Sequence, residues 1–224
     1  TDVQIEEVKN NSDLKRFVKF PFKLYKNSKY WVPPIISEEI NVFNSDINPA
    51  LKNANVSLYI AIIDNEIVGR IAAIINSIEV NEQKTKKIRF GWFDVIDDLN
   101  VTKKLIDKVI EIGKANNLEY MEGPMGFSNL DKVGVLTYGF DKIGTMVTWY
   151  NHPYYSSHFK KLNFTIEKQY LEKSFSFQNI DKDYYFRMSK IIQKRYDFKA
   201  VNFNKTEDVL NNVNGLEWIR LHYA

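Results

Sequence analysis

The sequence predicts an α/β fold in which a mixed, mostly antiparallel sheet is flanked by helices. Three strand-like runs follow one another in the middle of the chain, and helical patterns precede and follow them. The 224 residues are 44% hydrophobic and 26% charged, an ordinary globular composition. We expect residues 1–177 to form the main domain, and residues 178–224 to be a helical segment packed on it or the start of a second domain.

The first predicted elements are a strand and two helices. Val3–Val8 alternates apolar and polar residues, which is typical of a short strand. Ser12 and Asp13 can cap the following helix, which Pro21 is expected to interrupt or kink. A second, short helix is predicted after Ser37.

The three central runs indicate an antiparallel meander. Val56–Ile63, Ile67–Ile75 and Ile88–Ile96 are rich in β-branched residues, and the turn Asp64–Glu66 joins the first two into a hairpin. Gly91 lies inside the third run and indicates a β-bulge.

Helices and short strands alternate after the meander. A helix capped by Asn100 or Thr102 leads to the short strand Leu118–Glu122. The stretch from Gly123 to Gly144 contains five of the nine glycines and is expected to be a long, packed loop. The remaining predicted elements are, in order, a strand at Met146–Tyr150, a helix at Pro153–Leu162, a strand or strand pair at Phe164–Phe177 and a helix capped by Asp181.

Composition excludes several kinds of site. The absence of cysteine excludes a disulfide framework, thiolate catalysis and Cys-ligated zinc, and with only three histidines no metal site is expected. The formal net charge of +3 is too small to indicate DNA binding. No apolar run approaches the roughly 20 residues of a transmembrane helix. We therefore expect a cytoplasmic protein with a small-molecule substrate and without a DNA or membrane partner.

Several short segments carry a recognisable pattern. Asp64–Ile71 is a short turn followed by a Val-Gly strand, and Asn151–Phe164 places Asn, aromatic residues and a final Phe at fixed spacing. These segments resemble the second hairpin and the N-x-x-A-x-x-x-Y-x-x-x-G-F helix and strand of the GNAT N-acetyltransferase family. Four further segments resemble sequence motifs of an uncharacterised GNAT-like subgroup: Trp31–Pro34, Val68–Ala73, Gly123–Ser128 and Tyr150–Tyr155. The resemblance spans residues 3–177 and implies the GNAT-like fold, whose sheet splits beside its fourth strand, and acyl transfer to an amine.

One turn departs from the family pattern. GNAT enzymes bind the CoA pyrophosphate on a Q/R-x-x-G-x-G/A turn, whereas Val95–Val101 contains neither glycine nor a basic residue. Asp97 and Asp98 are expected to cap the next helix, where carboxylates satisfy the helix dipole and repel a phosphate. Acetyl-CoA or another acyl-CoA is therefore expected to bind weakly or not at all. Phe159 stands where the family has its usual tyrosine general acid.

Two residues are candidate catalytic groups. Asp94 lies near the end of the third central run, where many GNAT enzymes place the base that deprotonates the substrate amine. The alternative is an outward-facing strand carboxylate. Tyr155 is the candidate to replace the missing general acid, and the alternative is core packing with its hydroxyl satisfied by backbone.

Further polar and aromatic residues are candidate substrate-binding groups. They are Arg70, Phe127, Ser128, Asn129, Tyr150, Asn151 and Tyr154. Arg70, alone in an apolar strand, can bind a carboxylate or phosphate or form an ion pair across the sheet. The tyrosine-rich patch Tyr150–Tyr155 can line a pocket. One wall of that pocket would be formed by the loop Gly123–Gly144, called the glycine-rich loop below. His152 and His158 are expected on the surface.

Three functions fit these patterns. The first is an N-acyltransferase, the second an aminoacyl-tRNA-dependent transferase of the Fem type, and the third a non-catalytic binding module on the same fold. The near-neutral charge counts against the second, because tRNA binding requires a basic face. The missing pyrophosphate turn counts against the first, but the resemblance favours it.

Overall fold

The computed structural model describes residues 2–128, 131–198 and 202–211. The chain divides into two compact units, residues 1–172 and residues 173–224. Each unit is described by itself below. No helix in the described ranges is long and apolar enough to cross a lipid bilayer.

The N-terminal unit contains a five-stranded sheet with helices on both faces. Its elements are, in order, β1 Gln4–Glu7, α1 Asn11–Leu24, α2 Ile36–Asn41, β2 Ala54–Ile63, β3 Glu66–Asn76, β4 Lys87–Val95, α3 Leu99–Ala115, β5 Tyr120–Glu122 and α4 Tyr154–Lys161. The strand order is β1-β2-β3-β4-β5, antiparallel throughout except for the parallel pair β4 and β5. The predicted mixed, mostly antiparallel α/β fold is therefore confirmed.

Local sequence explains how α1 and the central hairpin form. The side chain of Asn10 caps α1 by accepting from the Asp13 backbone N–H, so the predicted Ser12 cap was wrong. Pro21 lies inside α1 without ending it. Asp64 and Asn65 join β2 to β3 with positive φ angles of 49° and 63°, which small polar residues adopt readily.

The core consists of two clusters, one on each face of the sheet. Alternate residues of a strand point to opposite faces, so Ile71 belongs to one cluster and Ala72 to the other. The first cluster packs residues of α3 and α4 against the sheet and includes Leu105 and Tyr155. The second cluster packs residues of α1 and includes Phe17 and Trp92. Helices therefore cover both faces near the site described below.

Two predicted strands are absent from the described residues. Met146–Tyr150 forms only an isolated bridge at Thr148, and the stretch from Phe164 to Phe177 has no strand. A strand needs a neighbour with free backbone groups, and an alternating pattern alone does not supply one. Val147, Ile166 and Tyr170 are instead exposed.

The described part of the C-terminal unit contains two α-helices, α5 Lys182–Tyr196 and α6 Thr206–Asn211. Asp181 caps α5 by accepting from the Tyr184 backbone N–H, as predicted. α5 contributes no buried residue. Its large apolar side chains are exposed to between 36% (Met188) and 70% (Phe186).

Candidate functional site

A buried ion pair joins β3 to β4. Arg70 and Asp94 are cross-strand partners in the register of the two strands. Arg70 Nε donates to Asp94 Oδ2 at 2.7 Å, and Arg70 Nη1 donates to the Phe17 carbonyl of α1 at 3.1 Å. Both side chains are less than 10% exposed. Asp94 is thus not an outward-facing strand carboxylate. Arg70 forms an ion pair across the sheet, which was one of the two alternatives expected for it.

Two tyrosines extend this ion pair into a hydrogen-bonded chain. Tyr25 Oη, at the end of α1, donates to Asp94 Oδ1 at 2.8 Å. Tyr25 Oη also lies 2.9 Å from Tyr155 Oη, and Tyr155 Oη accepts from the Val95 backbone N–H at 2.9 Å. All these groups are buried. This chain of hydrogen bonds therefore connects α1, β3, β4 and α4 at one point.

Burial keeps these hydroxyl groups protonated. Desolvation raises the pKa of both Tyr25 and Tyr155 well above the ordinary value of 10.0, and the nearby Asp94 carboxylate raises both further. Desolvation, with Asp97 and Asp94, also raises the pKa of Tyr154. Tyr154 Oη donates to the Val95 carbonyl at 2.6 Å. The tyrosines at this site are therefore hydrogen-bond donors at neutral pH.

β4 is distorted where the chain of hydrogen bonds meets it. Arg70 pairs with Asp94 and Ala72 with Gly91, so Ile71 lies opposite both Trp92 and Phe93, which is a β-bulge. Trp92 has a φ of 43°, a left-handed conformation that is strained for a bulky residue. Its indole Nε1 donates to Glu39 of α2 at 3.0 Å. Such strain is often retained at functional sites.

The sheet splits beside this bulge. β5 pairs with β4 only from Lys87 to Arg89, and the Met125 N–H then donates to the Phe90 carbonyl at 2.8 Å. Gly91 permits that approach, since a Cβ atom there would lie 2.2 Å from the Met125 carbonyl oxygen. Beyond this point Val95 still pairs with Gly69 of β3, but its backbone N–H and carbonyl are bonded by the α4 tyrosines Tyr155 and Tyr154 in place of β5.

The N-terminus of α3 is closed by carboxylates. Asp98 Oδ1 accepts from the backbone N–H groups of Asn100 and Val101, so Asp98 caps the helix as predicted, and the predicted cap at Asn100 or Thr102 was wrong. Asp97 instead lies 3.1 Å from His158 Nε2, while His158 Nδ1 lies 2.8 Å from Thr102 Oγ1. His158 is only 4% exposed, so its predicted surface position was wrong. This helix terminus offers few free N–H groups to a pyrophosphate, because the Asp98 side chain accepts from two of them and adds negative charge.

The predicted substrate-binding residues do not all lie together. Tyr150 packs its ring on Tyr25 at 5.6 Å and so adjoins the site. Asn151 is buried, accepts from the Leu136 N–H at 2.6 Å and donates to the Leu136 carbonyl at 3.2 Å, so it fastens the glycine-rich loop. Phe127 lies in the core cluster on the face of the sheet opposite Tyr155.

The rest of the glycine-rich loop is held by a second buried ion pair. Arg89 pairs with Glu79 and donates to the carbonyls of Gly126 and Phe127. Ser128 is exposed and its backbone N–H donates to the Asp131 carboxylate. Asn129 lies outside the described residues. Within the described ranges, no group of His, Asp and Glu is arranged to hold a metal ion.

Sequence reasoning missed Tyr25 and the buried role of His158. The aromatic residues near the end of α1 were the one available signal for Tyr25. Its hydroxyl partners lie 69 and 130 residues away, and no local pattern predicts such contacts.

Comparisons with known proteins give distant relatives. No family model matches the chain. Protein YghO of Escherichia coli is 29% identical over 155 residues, which cover 69% of this chain and 40% of that protein. The bacterial ceramide synthase of Caulobacter vibrioides is 30% identical over 143 residues, covering 62% and 37% respectively. The chain thus spans about two fifths of the length of these curated relatives.

Solved structures similar to this chain include acetyltransferases. An aminoglycoside acetyltransferase from an uncultured soil metagenomic sample, in complex with sisomicin, has a TM-score of 0.47 and 14% identity and covers 79% of this chain and 97% of its own. A predicted acetyltransferase of Clostridium acetobutylicum with acetyl-CoA has a TM-score of 0.46 and 14% identity, covering 77% and 96%. The N-terminal unit itself has the mixed, mostly antiparallel sheet flanked by helices that the sequence predicts.

Proposed function

We propose that the N-terminal unit is an N-acyltransferase domain, which transfers an acyl group from a thioester to an amine. The observation that carries the proposal is the buried Asp94–Tyr25–Tyr155 chain at the end of β4, where the sheet of this fold splits. A carboxylate and a protonated hydroxyl joined at one point are the groups that acid–base catalysis needs.

The chemistry of amide formation explains why such a pair is useful. When an amine attacks a thioester, the C–N bond forms, the C–S bond breaks and the nitrogen must lose a proton. Asp94 accepts that proton in our proposal, and the ion pair with Arg70 holds its carboxylate in position. Tyr154 and Tyr155 hold the Val95 backbone beside the split and supply hydroxyl groups that stay protonated.

The names of the relatives favour an amine as acceptor. A ceramide is an N-acylated long-chain amino alcohol, so the relative named a bacterial ceramide synthase forms an amide by its name. We therefore propose a small-molecule primary amine as the acceptor, with a long-chain 2-amino alcohol as the first to test. The donor is named only as an acyl thioester, because the α3 terminus offers few free N–H groups to a pyrophosphate.

The test is a thiol-release assay with purified protein. Acyl thioesters with chains of 2, 8 and 16 carbons, each made both as the CoA thioester and as the pantetheine thioester without the pyrophosphate, are mixed with a long-chain 2-amino alcohol or an aminoglycoside. Free thiol is followed with a thiol reagent. The chain has no cysteine, so the protein adds no thiol background. We expect release that depends on the amine, with the amide identified by mass spectrometry.

Variants assign the reaction to the site. Asp94→Asn should lower the rate roughly 100- to 10,000-fold, the usual contribution of a general base. Asp107→Asn, an exposed carboxylate on α3, is the matched control and should leave the rate unchanged. Circular dichroism separates a catalytic loss from unfolding. Absence of amine-dependent release with every pair of substrates would favour the non-catalytic binding module instead.

A further inference from the structure

We infer that Tyr25 is a relay residue, which passes the proton released at the Tyr155 hydroxyl to the Asp94 carboxylate. The inference rests on the proposed acyl transfer. Tyr25 is 1% exposed, and its single hydroxyl lies between the two groups that the proposed reaction uses. Asp94 and Tyr155 share no hydrogen bond of their own among the described contacts, so Tyr25 is what joins them.

The hydrogen bonds of this chain have only one consistent direction. Asp94 accepts from Arg70 Nε through Oδ2 and from Tyr25 through Oδ1, so the one hydroxyl proton of Tyr25 points to Asp94. The Tyr25 oxygen then must accept from Tyr155. Tyr155 in turn accepts from the Val95 N–H and keeps one lone pair free. Every proton in the resting chain therefore points toward Asp94.

That direction is the one needed to remove a proton from an amine. A substrate N–H proton moves to Tyr155 Oη while the Tyr155 proton moves to Tyr25 and the Tyr25 proton moves to Asp94. Asp94 becomes a neutral carboxylic acid, the amide forms and the thiolate leaves. The same proton returns along the chain to give the free thiol, so amine and thioester yield amide and thiol with no other reactant.

The surroundings of Tyr25 fix its ring in the required position. α1 ends at Tyr25, whose backbone N–H donates to the Pro21 carbonyl at 2.8 Å. The rings of His152, Trp31 and Tyr150 lie 4.9, 5.4 and 5.6 Å from the Tyr25 ring. A phenylalanine at position 25 keeps the ring and these packing contacts and removes only the hydroxyl.

The first experiment compares Tyr25→Phe with Tyr120→Phe, which removes the hydroxyl of a half-exposed tyrosine on β5. With an acyl-CoA and a long-chain 2-amino alcohol, Tyr25→Phe should lower kcat at least 10-fold with little change in KM. The transfer rate is also measured in mixtures of H₂O and D₂O. For the unaltered protein, a plot of rate against deuterium fraction should be curved, because several protons move together. The plot should become linear for Tyr25→Phe and stay curved for Tyr120→Phe.

The second experiment needs no turnover. Hydroxyl protons of buried tyrosines exchange slowly, and NMR should show those of Tyr25 and Tyr155. Asp94→Asn should shift both signals, although of the two hydroxyl groups only that of Tyr25 bonds Asp94 directly. If Tyr25→Phe unfolds the chain, 3-fluorotyrosine at position 25 replaces it, and the pH profile of kcat should move to lower pH because fluorine acidifies the hydroxyl.

The outcomes separate the inference from the proposed function. If Tyr25→Phe keeps the full kcat of amine-dependent transfer and the curved plot of rate against deuterium fraction, the relay is overturned. The proposed acyltransferase function is not affected by that result. Absence of transfer in the unaltered protein overturns both. In that case shifted hydroxyl signals would show only a structural network.

Discussion

At the scale of single residues, the most consequential contact is the buried pair of Arg70 and Asp94. A buried ion pair adds little net stability, but removal of one partner leaves a charge that water cannot reach. Asp94 has a remaining donor in Tyr25, which does not neutralise it. The pair is therefore expected to be costly to break from either side.

The first prediction concerns Arg70→Ala. We expect it to lower the free energy of unfolding by about 3–5 kcal/mol, because the Asp94 carboxylate is left buried without its cation. Urea denaturation measures the change. Asp107→Ala, which breaks the exposed pair with Lys103, is the control and should cause a far smaller change. Equal effects of the two variants would contradict the importance of burial.

The second prediction concerns the pH dependence that Glu79 confers. Burial raises the pKa of Glu79, but hydrogen bonds from Arg89 and Lys87 outweigh it and lower the pKa below the ordinary 4.5. A lowered pKa stabilises the fold above pH 4.5 and loses that effect as the pH falls through the folded-state pKa. Glu79→Gln should therefore be less stable at pH 7 and lose less stability below pH 4.5. Urea midpoints between pH 7 and 3 test this, with the exposed Glu119→Gln as control.

Residue-scale features differ in how far the sequence predicts them. Arg70 and Asp94 could be singled out because a charge in an apolar strand is unusual and must find a partner. Tyr25 could not, since it is one of 13 tyrosines and its role depends on distant contacts. Asn151 was noticed for its polarity, but only the structure shows that its amide is used by the Leu136 backbone.

At the scale of elements, the N-terminus of α3 decides what the fold can bind. Asp98 fills the first free N–H groups of the helix and Asp97 adds charge nearby. A helix start usually attracts anions because of those N–H groups. Here the same groups are unavailable, and the cap was predictable because it depends only on neighbouring residues.

The third prediction is that acetyl-CoA binds weakly. We expect a dissociation constant weaker than roughly 100 µM by calorimetry, because the pyrophosphate meets carboxylates instead of free N–H groups. Asp97→Asn should tighten binding if the repulsion is electrostatic, whereas Asp107→Asn on the same helix should not. Micromolar affinity with the nucleotide located at Asn100 would contradict the prediction.

Other elements show why periodicity alone misjudges strands. The three central strands were predicted because their β-branched runs are long and a two-residue turn fixes their pairing. Met146–Tyr150 and Phe164–Phe177 also contain aromatic and aliphatic residues, but they lack a long β-branched run, and β5 is only three residues long and lies beside the split. A strand pattern with no edge to join stays irregular.

At the scale of the whole molecule, the two units differ in how they bury apolar surface. Among the described residues, the buried hydrophobic residues of both core clusters lie between Val3 and Phe159, inside the N-terminal unit. α5 has aromatic and aliphatic side chains at helical spacing but buries none of them. A large exposed apolar face usually marks a surface that binds something or aggregates.

The fourth prediction follows from this difference and compares residues 1–172 with the 224-residue chain. The fragment keeps every described core residue, so its urea midpoint for the loss of tertiary structure should equal that of the N-terminal unit in the 224-residue chain. The 224-residue chain should self-associate with rising concentration in sedimentation velocity, because Tyr185, Ile191 and Tyr196 of α5 are exposed. Ile191→Lys in the 224-residue chain should weaken that association without changing the midpoint. A fragment that unfolds at lower urea would instead show that residues 173–224 contribute to the core, which is the packed arrangement that the sequence left open.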